Sequence, residues 1–256
     1  MSELFSIQLQ NRQQQGRDGV WLDLPTTTEQ VQAALRQIGI SSDNPQGLFI
    51  SGYFAEEEKR FAIPYNMVLA SNVDELNFLA SRLETLSTGE RAELNAALQA
   101  PQSELFSIGR ITDFPENVDY YVHLPDVHGP AQLGDYYLNR SGMVDMPEEW
   151  KGGIDTAQFG RYVAQQEQGV FTEYGYLVKS GDVWQKVHEG QPVPEEYRVL
   201  SFPVPEVMRD AANIPPPVQP ETEPQKVIPI ILNGKDSAER MKEITDRLET
   251  GIQELF

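Results

Sequence analysis

The spacing of apolar residues changes part-way along this 256-residue chain, and the change constrains the fold more than any other feature. Phe5, Ile7 and Leu9 alternate with polar residues, which is the period of a β-strand with one buried face. Leu76 and Leu79 belong instead to a series spaced like one face of an α-helix. Strand and helix patterns in separate stretches predict an α+β fold.

Local signals divide the first half of the chain into two predicted units. Residues 1–70 read as a small α+β unit, with a helix that begins near Thr26–Thr28 and with strands at 5–9, 20–24, 47–50 and 61–63. Residues 71–112 read as a helical unit. Its two helices begin at the capping pairs Asn72/Glu75 and Ser87/Glu90.

A third predicted unit, 113–202, is again α+β. It begins with a predicted strand at 120–124, followed by helices at 129–139, 147–150 and 156–163. Phe159 and Tyr162 are predicted to face inward from the last of these helices. A predicted hairpin then pairs 171–178 with 183–187, and a last strand covers 199–202. Residues 203–226 read as a Pro-rich linker. Residues 227–256 carry an apolar stripe at helical spacing, which predicts either a docking helix or the truncated start of a further domain.

The chain is strongly acidic, with 39 acids, 20 bases and a net charge of −19. Such a charge repels nucleic acid and anionic membranes, so we expect no direct nucleic-acid binding by residues 1–202 and no membrane association. The absence of cysteine excludes disulfides, thiolate nucleophiles and Cys-ligated zinc. With no apolar run long enough to span a membrane, the composition predicts a cytoplasmic protein. The acidity serves either solubility or a partner with a basic groove.

The densest acidity lies at 101–150, where nine acids face two bases. Within it, His123, Asp126 and His128 suggest metal ligands or an acid–base pair. A single Asp-x-His in a loop is a weak signal for a metal, however, and the chain has no HExxH spacing. There is also no G-x-S-x-G and no Gly-rich phosphate loop. We therefore predict no enzyme activity, no cofactor and no metal.

Mimicry of a nucleic acid is physically compatible with this charge. Duplex DNA presents one negative charge per about 1.7 Å of axis. Carboxylates three or four residues apart on a helix stand about 5–6 Å apart. A rigid set of carboxylates can therefore enter a protein groove that is built for phosphates, and its binding would weaken with salt.

Four stretches in register resemble the ArdA family of antirestriction proteins. They are VWLDLP at 20–25, DELNFLA at 74–80, QLGDYYLNRSG at 132–142, and the long stretch 146–178 with Ile154-Asp155, Phe159-Gly-Arg161 and Gly169-Val-Phe171. Together they cover most of residues 1–180. The resemblance implies an elongated, three-domain homodimer without catalysis or cofactor. Such a protein imitates bent B-form DNA, occupies the DNA-binding groove of type I restriction–modification enzymes and travels on mobile genetic elements.

We expect the carboxylates of residues 113–173 to form the densest part of the phosphate-like surface. They are Asp113, Glu116, Asp119, Asp126, Asp135, Asp145, Glu148, Glu149, Asp155, Glu167 and Glu173.

Two departures from the family pattern suggest an alternative. Family members often carry an Ile-x-Asp-Tyr-Glu-like stretch where this chain has Ile50-Ser-Gly-Tyr-Phe54. Residues 238–256 resemble the opening helix of an ArdC-like single-strand DNA-binding domain. The alternative function is therefore an ArdA-derived interaction module of a larger mobile-element protein, with a different partner.

Overall fold

A computed structural model of the chain describes residues 4–14, 18–41, 45–56, 60–101 and 103–200. These residues form two compact units. Unit 1 contains the described residues of 4–98 and 103–118 together with 185–200, and unit 2 contains 99–101 and 119–184. The predicted linker at 203–226, the segment 227–256 and the ArdC-like stretch 238–256 lie outside the described residues.

A three-stranded antiparallel sheet forms one layer of unit 1. Its strands are β1 (Phe5–Asn11), β2 (Val20–Leu24) and β3 (Leu48–Phe54), in the order β2-β1-β3. Every second residue of β1 is buried, as its alternating pattern predicts.

Helices supply the rest of the core of unit 1. They are α1 (Thr28–Gln37), α2 (Tyr65–Leu69), α3 (Val73–Leu83), α4 (Thr88–Gln99) and α5 (Ile108–Thr112). The predicted capping pair at Asn72 and Glu75 is present at the start of α3, where each side chain bonds the other residue's backbone N–H. Ser87 and Glu90 do the same at α4. These caps confirm the predicted helix starts.

The strand predicted at 61–63 is absent, although Phe61 and Ile63 are buried. The side chain of Asn95, on α4, accepts from the N–H of Ala62 at 2.8 Å and donates to the carbonyl of Arg60 at 3.1 Å. An amide side chain therefore satisfies the backbone groups that a neighbouring strand would have bonded.

Unit 2 has a second antiparallel sheet covered by helices. Its elements are β4 (Tyr121–Leu124), α6 (Pro130–Asp135), a π-helical turn (Tyr136–Arg140), α7 (Glu148–Lys151), α8 (Thr156–Glu167), β5 (Val170–Thr172) and β6 (Gly175–Lys179), with strand order β4-β6-β5. The core joins Val127, Leu133, Tyr137, Val163, Tyr176 and Val178. The mixed content of the two units confirms the predicted α+β class.

Two glycines let α6 and α8 approach closely. A Cβ on Gly160 would lie 1.8 Å from the carbonyl oxygen of Pro130, and one on Gly134 would lie 1.9 Å from that of Thr156. Backbone therefore packs directly against backbone at this crossing, which only glycine permits.

Three local predictions between residues 156 and 187 are wrong. The hairpin pairs β5 with β6 across Glu173-Tyr174, because the hydroxyl of Thr172 bonds across the turn to the Gly175 carbonyl and the Tyr174 N–H. Residues 183–187 form no strand. Tyr162, predicted to face inward, is 50% exposed.

The segment 185–200 packs in unit 1, where side chains satisfy its backbone. Asp74 accepts from the N–H groups of Val199 and Leu200 at 2.7 and 2.8 Å, so these residues form no strand. Asn117 bonds both backbone groups of Gln185. The predicted unit 113–202 is thus divided between the two compact units, whereas 1–70 and 71–98 share unit 1.

Candidate functional site

Most of the predicted surface acids in unit 2 are open to solvent. Asp135 is half-exposed, and the exposed ones are Asp119, Asp126, Asp145, Glu148, Glu149, Asp155 and Glu173. We call these eight residues the acidic surface. Residues 119–184 contain ten acids and only four bases, which gives this part of the smaller unit a net charge of −6.

Two of those four bases pair with members of the acidic surface. Arg140 Nε lies 3.2 Å from Asp135, and Lys151 Nζ lies 3.0 Å from Glu148. Both pairs involve exposed carboxylates, so each is worth little energetically. Glu148 keeps 83% of its side chain exposed and remains open to a partner.

Asp155 is fixed by its place in the fold. It caps α8, where one carboxylate oxygen accepts from the N–H groups of Ala157 at 2.9 Å and Gln158 at 3.0 Å. The other oxygen, Oδ2, accepts from neither of these two N–H groups. A capped helix end therefore holds a carboxylate in one orientation, which a partner can recognise without ordering it first.

Asp113 corrects the predicted surface set, because it is completely buried. Its carboxylate accepts from three consecutive backbone N–H groups, those of Val187 at 3.2 Å, His188 at 2.6 Å and Glu189 at 3.2 Å. A buried carboxylate is tolerated when hydrogen bonds replace its water. Asp113 thus fastens the end of α5 to the segment 185–200 and is unavailable to a partner.

Glu167 is the second correction, with only 4% of its surface exposed. The hydroxyl of Tyr137 donates to one of its oxygens and the hydroxyl of Tyr176 donates to the other at 2.9 Å. Burial raises the pKa of Glu167 to about 7, and the two hydroxyl bonds partly oppose that rise. The carboxyl belongs to the core of unit 2.

Glu116 lies in unit 1 and forms an ion pair with Arg82 on α3. Both side chains are mostly buried, with 30% and 22% exposed. The pair joins α3 to the turn that follows α5, so Glu116 has a structural partner that its sequence position did not reveal.

Comparison with protein-family models gives a match over residues 15–178, to the antirestriction protein (ArdA) family. The match covers more than half of the chain. This chain belongs to the ArdA family. Among curated proteins, a search found no match. The family assignment confirms the sequence resemblance and gives the chain an antirestriction function in general terms.

Histidines in this ArdA-family chain do not build a metal site with Asp126. Within the described ranges, no group of three or more His, Cys, Asp or Glu residues is placed to hold a metal ion. His123 is half-buried, and its Nε2 lies 2.7 Å from the carbonyl oxygen of Tyr174. Burial lowers the pKa of His123; the bond to the Tyr174 carbonyl opposes this fall, and the nearby His128 adds to it. His128 is exposed.

One exposed acid and the most exposed aromatic residue of the described part of unit 2 are missing from the predicted site. Asp182 is exposed in the turn after β6, beyond residue 173, where the predicted set ends. Trp150 lies between Glu149 and Lys151 on α7 with 67% of its surface exposed. Its position beside acids is visible in the sequence, but its exposure is not.

No helix within the part of the ArdA-family chain that the structure describes is long and apolar enough to cross a membrane.

Proposed function

We propose that this chain inhibits a type I restriction–modification enzyme by DNA mimicry, with the acidic surface of unit 2 placed where DNA phosphates would lie. The observation that carries the proposal is the exposure of eight carboxylates on a unit with only four bases. The ArdA family membership supports a restriction enzyme as the target.

Rigidity supports this proposal. Two of the carboxylates are held by a firmly packed helix pair: Asp135 ends α6, and Asp155 caps α8, which contacts α6 closely. A preformed set of charges binds without the entropic cost of ordering a flexible acidic tail. The proposal involves neither catalysis nor a cofactor, and it includes a homodimer, which would double the number of acids available.

Competition with DNA tests the proposal. A labelled target duplex, a type I restriction–modification enzyme and the full chain are mixed at low salt, and displacement of the duplex is measured. The informative variant combines Asp126→Asn, Asp145→Asn and Glu149→Gln. In the described part of the chain these three exposed side chains have no hydrogen bond or ion pair.

Each lost carboxylate–base contact is worth roughly 0.5–1 kcal/mol, so we expect the triple variant to compete about tenfold or more weakly. A matched control removes the same charge from exposed acids of unit 1, by Asp18→Asn, Glu195→Gln and Glu196→Gln. An equal loss in the control would mean that net charge alone matters. Absence of any competition by the unaltered chain at low salt would end the proposal.

The dimer is tested separately by sedimentation of the full chain over a range of concentrations. A single monomeric species up to the highest concentration would remove the dimer from the proposal and leave the mimicry intact.

A further inference from the structure

We propose that Glu167 is a proton-controlled latch of unit 2. The protonated carboxyl holds the end of α8, the turn 136–140 and β6 together, and its ionisation loosens them. The proposal concerns the internal packing of unit 2 and stands apart from the mimicry proposed above.

Geometry is the first support. The carboxyl of Glu167, the hydroxyl of Tyr137 and the hydroxyl of Tyr176 meet in the interior, and each comes from a different element. All three residues are buried, and both tyrosines belong to the apolar core cluster. The carboxyl is therefore the polar centre of an otherwise apolar contact between three elements.

Charge is the second support, because the titratable groups that face the carboxyl are not basic. The turn contributes Tyr137, with Tyr136 beside it, and β6 contributes Tyr176. All three are tyrosines, which carry no positive charge at any pH.

The bases on these three elements lie elsewhere. Arg161 of α8 is exposed. Arg140 of the turn pairs with Asp135, and Lys179 of β6 lies over the ring of Tyr120. A carboxylate that ionises at position 167 therefore stays in the interior without a positive partner.

The two protonation states bond differently. A protonated carboxyl accepts from one hydroxyl and donates its own proton to the oxygen of the other, so both carboxyl oxygens stay paired and no charge is buried. An ionised carboxyl accepts from both tyrosines but remains a buried charge. Burial also raises the pKa of both tyrosines, so they stay neutral when Glu167 ionises.

The sign of the pH effect follows from the folded and unfolded states. The folded pKa of Glu167, about 7, lies above its ordinary value of 4.5, so the folded unit binds the proton more tightly. The contribution to stability is fully present below about pH 4.5 and is lost as the pH rises through about 7. Unit 2 should therefore open more readily at pH 8 than at pH 5.

Hydrogen–deuterium exchange of the full chain tests the latch, with rates corrected for the intrinsic effect of pH. Peptides from 156–179 report on α8, β5 and β6. We expect their protection to fall from pH 5 to pH 8 in the unaltered chain. Glu167→Gln should keep its protection across this range, because an uncharged amide of the same shape can bond both hydroxyls. The control Glu149→Gln, which removes an exposed charge of unit 2, should fall like the unaltered chain. An equal fall in Glu167→Gln would overturn the proposal.

Two further measurements decide the matter if Glu167→Gln fails to fold. Carbon-13 NMR of labelled glutamate carboxyls should show one carboxyl that titrates near neutral pH, and its absence would overturn the latch. Tyr176→Phe removes one donor to the ionised form, so the loss of protection should move to higher pH. An unchanged midpoint in this variant would overturn the part of the latch that assigns the Tyr176 hydroxyl to the carboxyl.

Discussion

At the scale of single residues, burial decides what each acid of the candidate site can do. Asp113 and Asp119 are six residues apart and belong to the same acidic stretch, yet one is fully buried and the other is exposed. Asp113 satisfies three backbone N–H groups, whereas Asp119 accepts no such bond from any residue that the structure describes. The carboxylate of Asp113 therefore stabilises the fold, whereas the exposed carboxylate of Asp119 is available to a partner.

Asp113→Ala should therefore destabilise unit 1, because three backbone N–H groups lose their acceptor in the interior. We expect a loss of about 3 kcal/mol or more in the free energy of unfolding. The measurement is the urea midpoint of the full chain, followed by exchange of peptides from 185–200. Asp119→Ala removes the same charge at the surface and should change the free energy of unfolding by less than about 0.5 kcal/mol. Equal midpoints for both variants would contradict the role assigned to Asp113.

At the scale of elements, the crossing of α6 and α8 sets the frame that carries the acidic surface. Asp135 ends α6, and Asp155 caps α8, so both acids are positioned by this one helix pair. The pair depends on Gly134 and Gly160, each of which lets a carbonyl oxygen of the other helix approach. Separation of the helices would move these acids relative to each other as well as open the core.

Gly160→Ala should separate the two helices, because its new Cβ would lie 1.8 Å from the Pro130 carbonyl oxygen. Overpacking of this kind costs typically about 1–3 kcal/mol and sometimes more, and we expect the upper end because the neighbour is backbone. Circular dichroism melting measures the effect.

Gly89→Ala is the matched control for this change. Gly89 also lies in a helix, α4, but a Cβ there meets no atom within 4 Å. It should leave the Tm unchanged or raise it, since alanine favours helix by about 1 kcal/mol over glycine. A Gly160→Ala variant that melts like the unaltered chain would show that the helices can part without cost.

At the scale of the whole molecule, the net charge of −19 governs the long-range attraction between this protein and a basic partner. Exposed charges attract a basic groove over long distances, and salt screens that attraction, with a Debye length of about 10 Å at 0.1 M. Binding that depends on the acidic surface must therefore weaken with ionic strength. Binding through an apolar contact, such as one centred on the exposed Trp150, would respond far less.

Competition with target DNA should thus be measured at several salt concentrations against a fixed enzyme concentration. Because salt weakens DNA binding as well, the affinity of this chain for the enzyme is measured separately, by calorimetry without DNA. We expect the dissociation constant to rise at least about tenfold between roughly 50 and 300 mM salt. A constant that does not change with salt would argue against phosphate mimicry, even if the two proteins bind.

Features that depend on neighbours along the chain follow from the amino-acid sequence alone. The alternation at Phe5, Ile7 and Leu9 specifies β1, and the Asn72/Glu75 cap specifies the start of α3, because strand period and capping act within a few residues. The registered stretches likewise pointed to the ArdA family, and the family comparison confirmed it. The excess of acids over bases is a property of composition and needs no packing to establish it.

The partner that each polar group finds is settled only when the chain packs in three dimensions. The side chain of Asn95 bonds the backbone around Ala62 in place of a neighbouring strand. Asp113 accepts hydrogen bonds from N–H groups more than seventy positions away along the chain. Glu167, identical in chemistry to the exposed Glu173, is placed between two tyrosines of the core. Charge is a property of the residue, whereas exposure is a property of the packing around it, and no local pattern in the sequence carries that information.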